Sequence, residues 1–210
     1  MKIGLNGQKI LINKLAGPEV YTYNTFQAIA KADKENKYII YFDRTPDNKF
    51  WSELTLNNPN FSYKVVSSIF SWTHVGLAKQ LFKDKVDVFF SATHTIPLVH
   101  PCKTKFVSMI HGLEYKVNRQ FYKEPVRLLV HPFILWWVLF RSKIIVVPSK
   151  ATKQAIVSKR WPFFKQNKIR IVPEGVGPEF HKVSEDKIKA VREKHNIGDN
   201  PYFKFVSTIQ

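Results

Sequence analysis

Short, continuous apolar runs separated by helix-forming stretches constrain the fold of this chain more than any other feature. The runs expected to form strands are Ile3–Asn6, Tyr38–Phe42, Phe61–Val66, Val86–Ser91, Lys105–Ile110, Ile144–Val147 and Ile169–Val172. Strands buried on both faces read as continuous apolar runs, because helices cover both sides of a parallel sheet. The pattern therefore predicts an α/β fold with an open, doubly wound parallel sheet.

The segments between the runs show helical periodicity or helix-capping signals. Apolar residues recur at helical spacing from Glu19 to Ala32, Val75–Phe82 is a second helix, and Ser149 is a candidate N-cap for another. Tyr122–Arg141 is expected to form an apolar helix, and Ser184–Asn196 a charged one. These helices supply the crossovers that a parallel sheet requires.

Ligands in open parallel sheets bind beyond the carboxyl ends of the strands. That rule selects the loops 7–19, 91–97, 111–115, 149–152 and 174–176 as candidate site loops. The candidate binding residues in these loops are Gly17, Glu19, Thr93, His111, Gly112, Ser149, Lys150 and Glu174.

His111 is the strongest catalytic candidate, since it follows a strand directly and Gly112 lies behind it. An imidazole in that place can reach a ligand in the crevice. The alternative is a histidine packed against the next helix. A metal site would draw on His94, His100, His111 and Glu114, but these residues lack the spacing of ligands on one helix, and no metal is expected.

The other loops carry weaker signals, each with a structural alternative. Gly17-Pro18-Glu19 precedes a helix whose N-terminus could hold a phosphate, but neither a GxGxxG nor a GxxxxGKS motif is present. The Glu19 carboxylate would repel phosphate and could instead accept a hydrogen bond from a sugar hydroxyl. Ser149 is expected mainly as a helix cap, and Glu174-Gly175 as a turn at a hinge between domains.

The charge balance points to an anionic partner. The chain has 33 basic and 16 acidic residues, a formal net charge of +17. This surplus is typical of proteins that bind phosphate-bearing ligands or acidic membrane surfaces, or of a merely solvated lysine-rich surface. Without an arginine-rich tract or an aromatic RNA-binding signature, nucleic acid is not expected. The helix with Trp136 and Trp137 is either core or in contact with a membrane surface.

The cysteine content and the N-terminus bear on the compartment. Cys102 is the single cysteine, which excludes a disulfide framework, and the first residues show no signal-peptide pattern. A reduced, cytoplasmic setting is therefore expected.

Taken in order, several blocks resemble one family of enzymes. They are MKIGLNGQ, AGPEVYTYN, DVFFSATHTIP, FVSMIHGLEY, IIVVPSKATKQAI, KIRIVPEGV and YFKFVSTIQ. Their order and spacing are similar to those of family 4 glycosyltransferases of the GT-B type, which have two Rossmann-like domains. The resemblance implies the N-terminal, acceptor-side half of such an enzyme.

The resemblance implies a retaining transfer of a sugar from a nucleotide sugar to an acceptor, often lipid-linked, with no cofactor or essential metal. His111 matches the family's histidine that contacts the donor sugar, and Gly17 matches the first-loop glycine near the diphosphate. Glu19 stands where relatives have a second glycine, which weakens the expectation of diphosphate contact. The enzyme would serve cell-surface polysaccharide synthesis at the inner face of the membrane.

The expected organisation is an acceptor-side Rossmann-like domain over 1–180, a linker helix and turn over 181–201, and over 202–210 the first strand of a donor-binding domain that is absent. A chain without the donor site is expected to be inactive alone. The competing hypothesis is a non-catalytic, basic Rossmann-like binding module, or a partner-dependent subunit, for an anionic ligand.

Overall fold

The chain divides into two compact units in the computed structural model, Met1–Glu174 and Gly175–Gln210. The structure describes residues 1–11, 17–113, 125–159, 161, 163–177, 180–198, 201 and 203, with the backbone alone for 125–131. The strand expected over 202–210 and the start of the helix expected from Tyr122 lie outside the described residues.

The first unit contains one seven-stranded sheet in which every neighbouring pair of strands is parallel. The strand order is β3-β2-β1-β4-β5-β6-β7. The strands are β1 (Lys2–Asn6), β2 (Lys37–Phe42), β3 (Phe61–Val65), β4 (Val88–Ser91), β5 (Lys105–Met109), β6 (Ile144–Val147) and β7 (Ile169–Ile171). The predicted doubly wound parallel sheet is confirmed, and the strand bounds differ from the expected ones by at most two residues.

Helices connect these strands. They are α1 (Gly17–Ala32), α2 (Asn48–Thr55), α3 (Ala78–Asp84), α4 (Pro125–Arg141) and α5 (Lys150–Val157), and the second unit contains α6 (Glu185–Lys194). Helix α2 was not predicted. It starts after Asp47, whose side chain accepts a hydrogen bond from the backbone N–H of Phe50 at 2.8 Å. The helix expected over Val75–Phe82 is longer, because a π-helix, Trp72–Leu77, precedes α3.

Two apolar clusters lie on opposite faces of the sheet. Successive residues of β2 alternate between them: Ile39 and Tyr41 belong to one cluster, and Ile40 and Phe42 to the other. All four side chains are buried. Because both faces of the sheet are covered, the described unit exposes the sheet chiefly at its edges and at the two ends of its strands.

A polar group is buried within this core at the end of α3. The Asp84 side chain is 5% exposed and accepts hydrogen bonds from the Tyr41 hydroxyl at 2.9 Å, the Gln80 amide at 3.0 Å and the Lys64 ammonium group. Burial alone would raise the pKa of Asp84, but these donors lower it overall. Burial and the Asp84 carboxylate together raise the pKa of Tyr41, so its phenol stays protonated.

We expect Asp84→Asn to lower the free energy of unfolding by about 2 kcal/mol at pH 7, because the charge-assisted hydrogen bonds are lost inside the core. A carboxyl whose pKa is depressed in the folded state stabilises the fold above its unfolded pKa and loses that effect as the pH falls through the folded pKa. The difference between the two proteins should therefore shrink below about pH 4. Urea unfolding of both proteins at pH 7 and below about pH 4 measures this difference in the free energy of unfolding.

Asp43→Asn is the matched control, because Asp43 pairs with Arg44, whose side chain is 61% exposed. Exposed pairs contribute little, so its effect should stay below about 1 kcal/mol. Equal unfolding midpoints for Asp84→Asn and the unmodified chain at pH 7 would contradict the stabilising role of Asp84.

Candidate active site

The carboxyl ends of all seven strands lie along one edge of the sheet, because the strands are parallel. The chain builds the sheet outward from β1 to β3 and then continues on the other side of β1 with β4. The carboxyl ends of β1 and β4 therefore flank the topological switch point, where doubly wound sheets bind ligands.

A hydrogen-bonded pair of polar side chains joins β1 and β4 at this switch point. The Asn6 amide donates to the Ser91 hydroxyl at 3.2 Å, and both residues are buried. The Ser91 hydroxyl lies 2.9 Å from the backbone carbonyls of Thr93 and Thr95, and its single hydrogen can be donated to either of them. The loop that carries Thr93 is thus held to the end of its own strand.

His111 lies beside this loop, two residues after the end of β5, with its side chain 19% exposed. Its Nε2 is 2.9 Å from the backbone carbonyl of Ala92, and its Nδ1 is 2.7 Å from Oε1 of Glu174. A carbonyl only accepts hydrogen bonds, so Nε2 carries a hydrogen and donates it. The ring orientation is therefore fixed from both sides.

The contact between His111 and Glu174 requires a proton between the two acceptors. With its hydrogen on Nε2, a neutral imidazole offers only a lone pair at Nδ1, and an ionised carboxylate has no hydrogen to donate. A 2.7 Å approach thus holds one proton, which either makes the imidazole cationic or the carboxyl neutral. Because that proton and the Nε2 hydrogen are both engaged, the pair offers a ligand the remaining acceptor lone pairs of the Glu174 carboxyl group.

Two further elements complete the surroundings of His111. The Tyr21 ring of α1 meets the imidazole edge-on, with ring centroids 5.1 Å apart. Burial raises the pKa of Tyr21, a hydrogen bond with Thr25 lowers it, and the Glu174 charge raises it, with a net rise. The Tyr21 phenol therefore stays neutral at physiological pH. On the other side, the Thr152 hydroxyl of α5 donates to the His111 backbone carbonyl at 3.4 Å.

These contacts place α1, the β4 loop, α5 and Glu174 around one imidazole at the carboxyl edge. Within the described part of the chain, no group of three His, Cys, Asp or Glu side chains is close enough to hold a metal ion. His100 is engaged elsewhere, since its Nε2 accepts a hydrogen bond from Arg141 at 3.0 Å. Glu114, which the metal hypothesis also required, lies outside the described residues.

A sequence profile described as Glycosyltransferase Family 4 matches residues 15–180, which is most of the chain. The chain belongs to Glycosyltransferase Family 4. A search of curated proteins found no significant match.

Solved structures match the Family 4 domain in fold. The crystal structure of Anabaena HepE in complex with UDP-glucose matches with a TM-score of 0.60 at 12% identity, over 95% of this chain and 51% of HepE. HepE in complex with UDP and glucose matches with a TM-score of 0.59 at 13% identity, with the same coverage. The chain therefore spans about half the length of these structures, and the predicted Rossmann-like fold of the GT-B type is confirmed.

Some of the predicted site residues of the Family 4 domain are in contact with one another, and others only lie near them along the chain. His111 and Glu174 are in direct contact, and Thr93 is bound to Ser91 next to them. Ser149 caps α5, as predicted, by accepting a hydrogen bond from the Thr152 backbone N–H at 3.1 Å. Lys150, exposed at the first residue of α5, and the half-buried Gly112 flank the cluster along the chain.

Gly17 and Glu19 lie in the first turn of α1, which also carries Tyr21. A methyl group at Gly17 would meet no atom within 4 Å, whereas one at Gly7 would lie 2.6 Å from side-chain carbons of both Ile40 and Phe42. Packing within the described chain thus requires glycine at position 7 and leaves position 17 open.

Three parts of this edge were not predicted from the sequence: Tyr21, the Asn6–Ser91 pair and the π-helix. The π-helix follows β3, and the Trp72 indole N–H and His74 Nδ1 within it are buried without a hydrogen-bond partner in the described structure. π-Helical turns occur often at functional sites, and buried unpaired polar atoms are rare. Only the apolar character of the segment was visible in the sequence.

The two glycines yield a prediction that separates packing from ligand contact. Gly7→Ala should lower the free energy of unfolding by about 1–3 kcal/mol, because its methyl group would overlap two core side chains. Gly17→Ala should change it by less than about 0.5 kcal/mol, because the site is open. Urea unfolding of both variants measures the contrast, and equal destabilisation would contradict it.

Proposed function

We propose that this Family 4 domain is the acceptor-side half of a retaining glycosyltransferase that transfers a sugar from a nucleotide-sugar donor. The observation that carries the proposal is the imidazole of His111, held by Ala92 and Glu174 at the carboxyl edge of a Rossmann-like sheet. Ligands of this fold bind at that edge.

His111 would contact the donor sugar near the reacting carbon, as the resemblance to family 4 enzymes implies. Its contact with Ala92 leaves the Nδ1–Glu174 side as the more open one, since the Glu174 side chain is 43% exposed. A sugar hydroxyl that approaches there would meet the carboxyl oxygens of Glu174. The remaining lone pairs of the Glu174 carboxyl group can accept a hydrogen bond from that hydroxyl.

Gly17 and Glu19 would face the donor from the start of α1. The open space at Gly17 allows the backbone to come close to a phosphate, and the N-terminus of a 16-residue helix favours negative charge. Glu19 would then serve a sugar hydroxyl rather than a phosphate. Lys150 and Ser149 at the start of α5, together with Thr93 and Gly112, would complete the binding surface.

Most of the nucleotide site would lie in a second Rossmann-like domain, since this chain spans only about half the length of HepE. HepE was crystallised with UDP-glucose, and a nucleotide sugar is the donor class that we propose here. The acceptor would be lipid-linked or a saccharide, in polysaccharide synthesis at the cytoplasmic face of the cell membrane. We further propose that catalysis needs no metal, so that a chelator leaves the rate unchanged.

The proposal is tested by an assay of nucleotide release and sugar transfer with a set of nucleotide sugars and a membrane lipid extract. Residues 1–210 alone should show no transfer, whereas the same chain joined to a second Rossmann-like domain, encoded beyond Gln210 or by a partner gene, should transfer the sugar with retention of configuration. Transfer by 1–210 alone would overturn the half-enzyme proposal. The absence of transfer in every combination, with anion binding preserved, would favour the binding-module hypothesis.

In the active two-domain protein, His111→Ala should lower kcat by about 100-fold or more, the range seen when one preorganised donor is removed from an active site. Glu174→Gln should have a smaller effect, because the amide still reaches His111, but it should change the pH profile of kcat because it cannot share a proton. Steady-state kinetics across the pH range measures both.

His195→Ala is the matched control, because His195 is an exposed histidine at the end of α6 and belongs to the second compact unit. Its rate and pH profile should equal those of the unmodified protein. An unchanged pH profile in Glu174→Gln would assign Glu174 a structural role only.

A further inference from the structure

The positive charge of the chain is concentrated in one stretch of the first unit. The segment from Pro125 to Pro173 contains no Asp or Glu at all. Its basic residues are Arg127, Arg141, Lys143, Lys150, Lys153, Lys159, Arg160, Lys165, Lys168 and Arg170. A stretch of this length without a carboxylate cannot neutralise its own charge, so its surface attracts anions.

Several of these cations surround one pocket at the amino-terminal ends of β6 and β7. The pocket has a volume of about 630 Å³, and its walls include Phe140, Lys143, Phe163, Lys165, Lys168 and Arg170. Lys143 and Lys168 directly precede β6 and β7. Because His111 lies at the carboxyl edge, this basic pocket is at the opposite end of the strands from the candidate active site.

The charges of the basic pocket are not balanced by carboxylates. In the described part of the chain, none of Lys143, Lys165, Lys168 and Arg170 forms an ion pair. Burial lowers the pKa of Lys168, and the nearby charges of Lys143, Lys165 and Arg141 lower it further. The mutual repulsion of these cations would be relieved by a bound anion.

A row of aromatic rings begins at the wall of the basic pocket. The Phe163 side chain, 80% exposed, lies 6.4 Å from Phe140 between ring centroids. Phe140 stacks on Trp136 at 5.6 Å, and Trp136 lies 5.8 Å from Phe133, which is 52% exposed. We call these four residues the aromatic row; three of them share one side of α4, at spacings of three and four residues.

The aromatic row is distinct from the core side of α4. Leu135, Val138 and Leu139 are buried in the larger apolar cluster. The Trp137 indole donates a hydrogen bond to the Pro97 carbonyl at 3.1 Å, which ties that ring to the protein. Trp137 thus faces the protein, whereas Trp136 belongs to the partly exposed row.

We propose that the basic pocket and the aromatic row form one surface that binds anionic phospholipid. The lysines and Arg170 would bind the headgroup phosphate, and the rings would enter the interface between headgroups and acyl chains, where aromatic side chains are favoured. This combination favours a lipid surface over nucleic acid. The rings of the row pack against one another and the row adjoins a single pocket, whereas single strands need a basic groove along which bases stack. The proposal does not depend on the transferase activity.

No helix in the described part of the chain is long and apolar enough to cross a membrane. Attachment through the surface proposed here would be reversible and salt-dependent, because each headgroup contact is electrostatic and screened within about 10 Å at moderate ionic strength.

Flotation of the chain with phosphatidylcholine vesicles, with and without phosphatidylglycerol, tests the proposal. We expect binding only to vesicles that contain phosphatidylglycerol. Lys143→Gln together with Lys165→Gln should lower the partition coefficient by roughly 25-fold, or about 5-fold for each charge near an anionic surface. Lys79→Gln together with Lys83→Gln is the matched control. Both lysines are exposed on α3, and the two substitutions remove the same charge as the first pair. It should change binding by less than about 2-fold.

The aromatic row has a test of its own with brominated lipids, which quench tryptophan fluorescence on contact. The Trp137 ring also lies 6.4 Å from Trp136 and 6.3 Å from Phe140 between centroids, but its indole is tied to Pro97. Trp136→Phe should therefore reduce the quenching more than Trp137→Phe. The surface proposed here would be overturned by an equal loss of vesicle binding in the two lysine double variants. An equal loss of quenching in the two tryptophan variants would also overturn it.

Two further arms distinguish the source of the anion. Inorganic phosphate and a single-stranded RNA are each added to the chain and, separately, to the vesicle mixture. Vesicle binding that persists in the presence of phosphate and in the presence of RNA supports a lipid surface. If either compound binds in a manner sensitive to Lys143 and Lys165 while vesicles do not bind, the lipid proposal fails.

Discussion

The cover of apolar side chains on both faces of the sheet is the constraint on which the rest of this structure depends. Because neighbours such as Ile40 and Tyr41 are buried on opposite faces, both faces of the sheet need a cover, which the helical crossovers between its parallel strands supply. That arrangement brings loops from distant parts of the sequence to one edge. It also separates the carboxyl edge, with His111, from the amino edge, with the basic pocket.

The candidate active site is assembled from several elements, none of which would suffice alone. His111 is oriented by a carbonyl from the β4 loop and by a carboxylate 63 residues further along the chain. The hydrogen bond between Asn6 and Ser91, which are 85 residues apart, joins β1 and β4 at the switch point. Each contact is an ordinary hydrogen bond, but together they leave the imidazole little freedom.

The sequence predicted the strands and the strand-end loops well, because burial on both faces leaves a direct trace in the apolar runs. His111 and Glu174 could each be found from their place after a strand, but their contact could not, since no spacing rule joins residues so far apart. Tyr21 was hidden among the periodic residues of α1. The short helix α2 was missed because its apolar positions are few and its first signal, Asp47, also reads as a turn.

The double attachment of His111 has a thermodynamic consequence. A side chain that is free in the unbound protein loses rotamer entropy when a ligand fixes it, at a cost of about 0.5–1.5 kcal/mol. The His111 ring has already lost that freedom on folding, since Ala92 and Glu174 hold both of its nitrogens. A ligand that meets this ring binds a group whose reorganisation was completed before the encounter.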